Sequence, residues 1–424
     1  MRSLPAAQRQ GDALLLARQT IPAAVLDPIL RTADAAEATY DVQVRDGRIA
    51  AIAPAAAGAA PGGLLLPGLV DAHVHLDKTA TFDRAAHPAS GLMEAIEQIQ
   101  ADRVRWTDAD IARRAEWGLQ RAWSHGTVAL RTHIDWSDAP PRSWQVIGEL
   151  ASDWRGRVAV QRASLTALAT LADPGKGPVI AERVARDGGV LGAFIVPVAA
   201  ELAQPLDAVF TLAARFDLDL DFHVDEGLDP AARGFDAVVA ATARHGFAGR
   251  VTCGHGCALG TRPPEDVAAV LGRAAAGGVR LVSLPLTNLF LQDRRASATP
   301  RQRGLAPMRE ALAAGLPVAI ASDNVGDPFH PYGDYDLLEA LRVAVRVAHL
   351  DDGLADQFAR ITTEPAAVLR LPHGGPLRIG APADFVRLGA ASAHEWMARP
   401  GTAREVWRDG IPIDPPEPAW PERK

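Results

Sequence analysis

The stretch Leu64-Leu65-Leu66-Pro67-Gly68-Leu69-Val70-Asp71-Ala72-His73-Val74-His75 decides how this chain folds. An apolar run of the kind that makes a buried strand leads directly into a histidine pair. Side chains alternate along a strand, so His73 and His75, at i and i+2, point to one face. Two imidazoles side by side at a strand end are half of a first-row metal site. Taken alone, the pair could also decorate a half-exposed strand, the lesser of the two readings. The rest of the chain argues otherwise.

Strand-like apolar runs recur at residues 128–135, 158–164, 190–196, 218–223, 251–255, 279–284 and 318–323, which with 65–73 make eight. Between most of them lie segments with apolar residues at i, i+3 and i+4, such as 111–123, 206–216 and 267–276, the spacing of amphipathic helices. Strands alternating with helices predict an α/β fold, and eight βα units predict a (β/α)8 barrel of the TIM type. The ends depart from that pattern. Tyr40 to Ile52 reads as strand, Asp46-Gly47 turn and strand, and Glu405 to Ile413 repeats the arrangement around Asp409-Gly410. Asp-Gly between strand-like runs is a hairpin signal. Residues 380–388 add a turn feeding another strand. The two ends are expected to pair into a small, discontinuous β-sandwich domain, with 1–66 and 371–424 as its parts and 67–370 as the catalytic barrel. Residues 415–424 are proline-rich and expected to be extended.

Composition bounds the function. The chain has 424 residues, 48% hydrophobic and 22% charged, with a formal net charge of −7. That is an ordinary globular balance without the basic footprint of a nucleic-acid binder. No apolar stretch is long enough for a membrane span. Leu14-Leu15-Leu16-Ala17, followed by Arg18, is too short for a signal-peptide core. Two cysteines, Cys253 and Cys257, exclude a disulfide framework and fit a reducing, cytoplasmic setting.

Barrel enzymes gather their active sites at the C-terminal ends of the strands. Here those ends carry His73 and His75, His223, His255 and Asp323. Half of the predicted strands finish in a metal-competent side chain, although the chain has only 12 histidines to place.

The segments His73-Val74-His75-Leu76-Asp77, Arg131-Thr132-His133-Ile134-Asp135, His223-Val224-Asp225-Glu226, Pro285-Leu286-Thr287-Asn288-Leu289-Phe290-Leu291-Gln292 and Asp323-Asn324-Val325-Gly326-Asp327-Pro328-Phe329 carry a family resemblance. Over most of its length the chain resembles the amidohydrolase superfamily, and its cytosine deaminase-like branch in particular. The resemblance implies one divalent metal ion, Zn2+ or Fe2+, held by His73, His75, His223 and Asp323, with an acidified water in the remaining position. It also implies that Asp323 takes the water's proton, that His255 holds the attacking hydroxyl, and that Glu226 moves a proton to a ring nitrogen and on to departing ammonia. Glu226 would then need a raised pKa. The implied activity is hydrolytic deamination of an amino-substituted nitrogen heterocycle. The implied partners are that small molecule and, since such enzymes often form symmetric oligomers, further copies of the chain. Binuclear members of the superfamily bridge two metals with a carboxylated lysine on strand four. The lysines here are Lys78, Lys176 and Lys424, none within 190–196, which favours a single ion.

Substrate positions depart from the family. Leu165 stands where cytosine-specific members use a glutamine, Asn324 replaces a second aspartate, Phe329 a tryptophan and Phe290 a histidine. Buried hydrogen-bonding groups let a site reject analogues. Exchanging several of them beside an intact metal set predicts the same reaction on a larger or flatter ring, such as a pterin or isoguanine. An N-alkylamino-triazine is the alternative substrate. A metal-free binding module is the contrasting class, against which the full ligand set with Glu226 and His255 argues. Cys253 shares a strand face with His255 and, like Cys257, reads as packing. His133 and Asp135 read as a polar network under the site, Lys78 as solvated or at the pocket mouth, and His330 as a pocket candidate. His125, His245, His349, His373 and His394 read as surface residues.

Overall fold

The computed structural model describes the chain except for residues 1–3, 5–6, 11–12, 33–34, 57, 59, 86, 138, 196–200, 373–374, 415–416 and 422–424. It divides into two compact units. One comprises residues 1–70, 122–129 and 337–417, and the other residues 71–121, 130–336 and 418–424.

In the first unit the chain ends build one sheet. Its strands run in the order Ile411–Ile413, Arg404–Arg408, Phe385–Leu388, Gly63–Pro67, Ala13–Pro22, Glu37–Arg45 and Arg48–Pro54, with Gln8–Gln10 also paired to Ala13–Pro22. Both expected hairpins form. Arg45 pairs with Arg48 across Asp46-Gly47, and Arg408 with Ile411 across Asp409-Gly410. The φ values are 51° and 71° in one turn and 47° and 74° in the other. Positive φ at both central positions is the type I′ turn, whose twist matches the flanking strands.

The second sheet has eight strands, labelled here β1 (Leu69–Val74), β2 (Thr127–Asp135), β3 (Ala159–Ala167), β4 (Leu191–Phe194), β5 (Leu220–Val224), β6 (Val251–His255), β7 (Arg280–Ser283) and β8 (Val318–Ile320). They lie side by side in chain order. Val74 forms a parallel bridge to Asp323, and Asp323 N donates to His73 O at 2.9 Å. The last strand's exit thus meets the first strand and nearly closes the barrel. That closure is made at two residues singled out above as metal ligands. Among the described residues no helix is long and apolar enough to cross a membrane.

The structure corrects several boundaries. Residues 65–73 are not one strand, because Gly63–Pro67 pairs in the end sheet and β1 begins at Leu69. The break is Gly68, whose N donates to Asp384 O. A Cβ there would lie 2.4 Å from Val128 Cγ1, so only glycine fits. β3 runs on to Ala167, and β8 stops at Ile320. Val196 and His373 lie outside the described residues. His349 and His394 are exposed, whereas His125 and His245 are half-buried, His245 with Nε2 2.8 Å from Asp207.

The strand contacts in the barrel leave little room. Gly192 on β4 donates its N–H to the Ser164 hydroxyl oxygen, and a Cβ on it would stand 1.9 Å from Ser164 O. Gly192→Ala is therefore expected to destabilise by about 3 kcal/mol, the upper end of overpacking costs. A denaturant midpoint equal to that of the parent chain would refute this tight β3–β4 approach.

Candidate metal centre and active site

The strand ends bring the predicted ligands together. His73 Nε2 lies 3.5 Å and His75 Nε2 3.3 Å from Asp323 Oδ1. His223, at the end of β5, places Nε2 3.5 Å from His75 Nε2. Ligand atoms about 2.1 Å from one ion at tetrahedral angles stand roughly 3.4 Å apart, so these separations fit neighbouring ligands of a single cation. His73, His75 and Asp323 form one set with ligand atoms within 4.8 Å of each other. His223 belongs by the same measure to a second set with His73, His133 and Asp221, and reaches the first through His75.

Donor chemistry agrees with a cation. His73, His75, His223 and Asp323 are all buried. Burial, foremost, holds the three imidazoles well below their usual pKa, so they are neutral and able to coordinate. His75 Nδ1 donates to His133 O at 3.2 Å, which leaves Nε2 as the free lone pair. Neither Asp323 oxygen nor His73 Nε2 has a hydrogen-bond partner among the described residues. A buried carboxylate without a partner is costly, and a cation removes that cost. Space is kept by Gly254, where a Cβ would lie 3.0 Å from the His73 ring.

Backbone conformation aims two of these groups. His223 pairs with Gly254 and Phe222 with Cys253, and Phe222 stacks at 6.0 Å on Phe210 of the helix Ala203–Phe216. Alternation would therefore turn His255 outward with Cys253. Instead His255 has φ 71°, and its ring lies 5.0 Å from the His223 ring. Cys253 and His255 thus do not share a face as expected, although both cysteines are buried packing residues. Asp225 and Asp323 also have positive φ, 50° and 61°. Non-glycine residues held there at three strand exits store strain that the surroundings must offset.

His255 and Glu226 meet over the same position, His255 Nδ1 lying 3.7 Å from Glu226 Oε1. Asn288 Nδ2 donates to His255 Nδ1 at 3.1 Å, so the ring's hydrogen is on Nε2, which has no partner among the described residues. Burial, foremost, and then the charge of Asp323 push Glu226 up to about 8. From the sequence, the segment from Pro285 to Gln292 offers only Phe290, as a pocket residue. In the structure its helix, Pro285–Leu291, braces the centre. Thr287 lies close enough to Asp323 to lower its pKa, Asn288 bonds His255, and Gln292 Nε2 donates to Glu226 O at 2.6 Å.

Of the predicted pocket residues, Asn324 gives Nδ2 to Asp327 at 2.6 Å and accepts His330 Nδ1 on its carbonyl at 3.2 Å. Phe290 is half-buried, with its ring 6.0 Å from His330. Phe329 is buried beneath Lys78, whose Nζ is 5.1 Å from the ring centre. Leu165 is buried on β3, and its carbonyl accepts from Trp136 N. Lys78 is not solvated. It is 3% exposed, with Nζ 3.0 Å from Asp135 Oδ1. His133 does belong to a buried polar network, with Nε2 3.2 Å from Asp221 Oδ1 and Arg131 pairing with the same carboxylate at 2.6 Å.

Comparison with known proteins adds to this geometry. Residues 182–413 match the amidohydrolase family model. The chain is 37% identical over 412 residues to a pterin deaminase of Rhizobium rhizogenes, covering 94% of this chain and 93% of that protein. It is 25% identical to N-isopropylammelide isopropyl amidohydrolase of a Pseudomonas species, over 86% of this chain and 92% of the relative. Among solved structures, 5-methylcytosine deaminase of Klebsiella pneumoniae with 5-fluorocytosine superimposes with a TM-score of 0.81 at 25% identity, over 95% of this chain and 98% of that one.

Proposed function

This chain belongs to the amidohydrolase family and is a hydrolase of carbon–nitrogen bonds, and from that premise we propose that it deaminates a fused aminoheterocycle of the pterin type. The likeness to a pterin deaminase over 94% of the chain carries this reading. The pocket positions support it, because Leu165, Phe290 and Phe329 offer apolar and aromatic walls to a flat ring.

In the reaction an oxygen from water bonds to the amidine carbon and the exocyclic C–N bond breaks. The C(NH2)=N unit becomes C(=O)–NH, and ammonia leaves. One of the water's protons ends on the ring nitrogen and the other on the departing amine. We assign His73, His75, His223 and Asp323 as ligands of one divalent ion, Zn2+ or Fe2+. Such an ion, when bound, lets a water ionise near neutral pH. Asp323 accepts the proton that water gives up. His255 donates through Nε2 to the attacking oxygen. Glu226, carrying a proton at neutral pH because of its burial, delivers it to the ring nitrogen, then carries the intermediate's hydroxyl proton to the departing amine, and is recharged by the proton held on Asp323.

Ammonia release from pterin, isoguanine, cytosine and 5-methylcytosine tests the substrate. Pterin is expected to exceed cytosine in kcat/KM by about tenfold or more, since a site with its polar readers exchanged loses the original ring. Cytosine turned over as well as pterin would overturn the assignment. Release of an alkylamine from an N-isopropylamino-triazine, in preference to ammonia from pterin, would move it toward the second relative.

A further inference from the structure

Lys78 has no duty in the chemistry so far, yet it is 3% exposed at the edge of the metal centre. Lysine is almost never buried unless paired. Its position is rigidly built. Lys78 N donates to His75 O at 3.1 Å, and Thr81 Oγ1 donates to Lys78 O at 2.7 Å. Arg114, itself buried, clamps the carbonyls of Asp77 and Thr79 on either side. The ammonium gives one hydrogen to Asp135, a carboxylate shared with Arg103. It lies over the Phe329 ring at 5.1 Å and 3.3 Å from His75 Nδ1. That nitrogen cannot accept, because it donates to His133 O. An ammonium has three donors, and Lys78 shows no second acceptor among the described residues. Its charge acts on His223, Asp323 and Glu226 alike.

Resting on the deaminase reading above, we propose that Lys78 donates to a ring carbonyl oxygen conjugated with the amidine under attack, and so selects 2-amino-4-oxo rings over aminoheterocycles in general. Attack at the amidine carbon pushes electrons onto the ring nitrogen. Where that nitrogen adjoins a carbonyl, the charge spreads to its oxygen. An ammonium placed there binds the transition state better than the ground state. Phe329, beneath the same ammonium, supplies the face on which such a ring lies.

The test compares pterin with 2-aminopteridine, which lacks the oxo group, and isocytosine with 2-aminopyrimidine, in the metal-loaded parent, K78M and K78R. The parent is expected to favour the oxo member of each accepted pair. K78M is expected to lose about 100-fold or more in kcat/KM on the oxo ring, the cost of one oxyanion donor, while its des-oxo rate falls far less and its metal content stays near the parent's. K78R, which keeps the charge, is expected to retain part of the preference. Should K78M fail to fold, K78Q carries the same expectation. An equal loss on both members, or no loss on either, overturns the proposal and leaves Lys78 a structural ion pair. If the parent ignores pterin but accepts isocytosine, the pterin reading fails while Lys78 is judged on the smaller pair. Turnover of neither pair by the parent overturns both.

Discussion

Asp323→Asn is expected to strip the protein of its metal and of measurable turnover. The substitution keeps the shape but exchanges a charge for an amide. Asp323 Oδ1 stands 3.3 Å and 3.5 Å from the Nε2 atoms of His75 and His73, so it supplies the only anionic ligand assigned to the proposed ion. Losing a group that merely supports a ligand costs about 10- to 100-fold in metal affinity, and losing the ligand itself should cost more. The same side chain is assigned to receive the water's proton, a role worth about 10²- to 10⁴-fold on its own. Metal per chain should therefore fall to background, with kcat/KM down by at least about 10³-fold. Stability should move the other way in chelated protein. Both oxygens of Asp323 are buried without partners, and a neutral amide is less costly to bury than a carboxylate. Elemental analysis, the deamination assay and thermal unfolding check the three effects. The second set, His73, His133, Asp221 and His223, offers the rival outcome. If the ion rests there, Asp323→Asn keeps its metal and His133→Ala loses it.

What could be anticipated from the sequence follows from how local each signal is. The Asp46-Gly47 and Asp409-Gly410 turns are legible because a two-residue hairpin demands positive φ at adjacent positions, and few residue pairs supply it. The ligand set is legible because alternation along strands and the one-sided placement of barrel active sites both act on neighbouring residues. Gly68 is not. A strand covered on both faces has no period, so an apolar run cannot show where the chain leaves one sheet for another. The burial of Lys78 is also hidden, since its partner Asp135 comes from the end of β2. Left-handed conformation at His255 turns a side chain that alternation points away, and no feature of Cys253-Gly254-His255 announces it. In the segment from Pro285 to Gln292 the motif is visible but its duties are not. They appear only when Thr287, Asn288 and Gln292 meet Asp323, His255 and Glu226 in space.

Glu226→Gln should separate catalysis from stability more sharply than any other change in this chain. Glutamine fills the same volume and can still accept from a neighbour, but it carries no transferable proton. Loss of a positioned general acid costs about 10²- to 10⁴-fold, and here one residue is assigned both the ring nitrogen and the leaving amine, so the upper part of that range is expected in kcat. Metal content should not change, because Glu226 is no ligand. The folding balance runs opposite. Burial, foremost, and Asp323 hold Glu226 at about 8 against an ordinary value of 4.5. Between those pH values the native chain keeps a proton that the unfolded chain has released. Native stability therefore declines as pH rises through that window and is fully reduced above it. Glutamine removes this penalty. Chelated E226Q should match the parent near pH 4 and exceed it near pH 8 by on the order of a few kcal/mol. A variant that is slower and yet more stable is what a strained active site predicts, since the largely desolvated carboxyl is kept for its chemistry at the expense of the fold. Equal melting temperatures at pH 8 would instead mean that the carboxyl reaches water, and the proton-donor role would lose its physical basis.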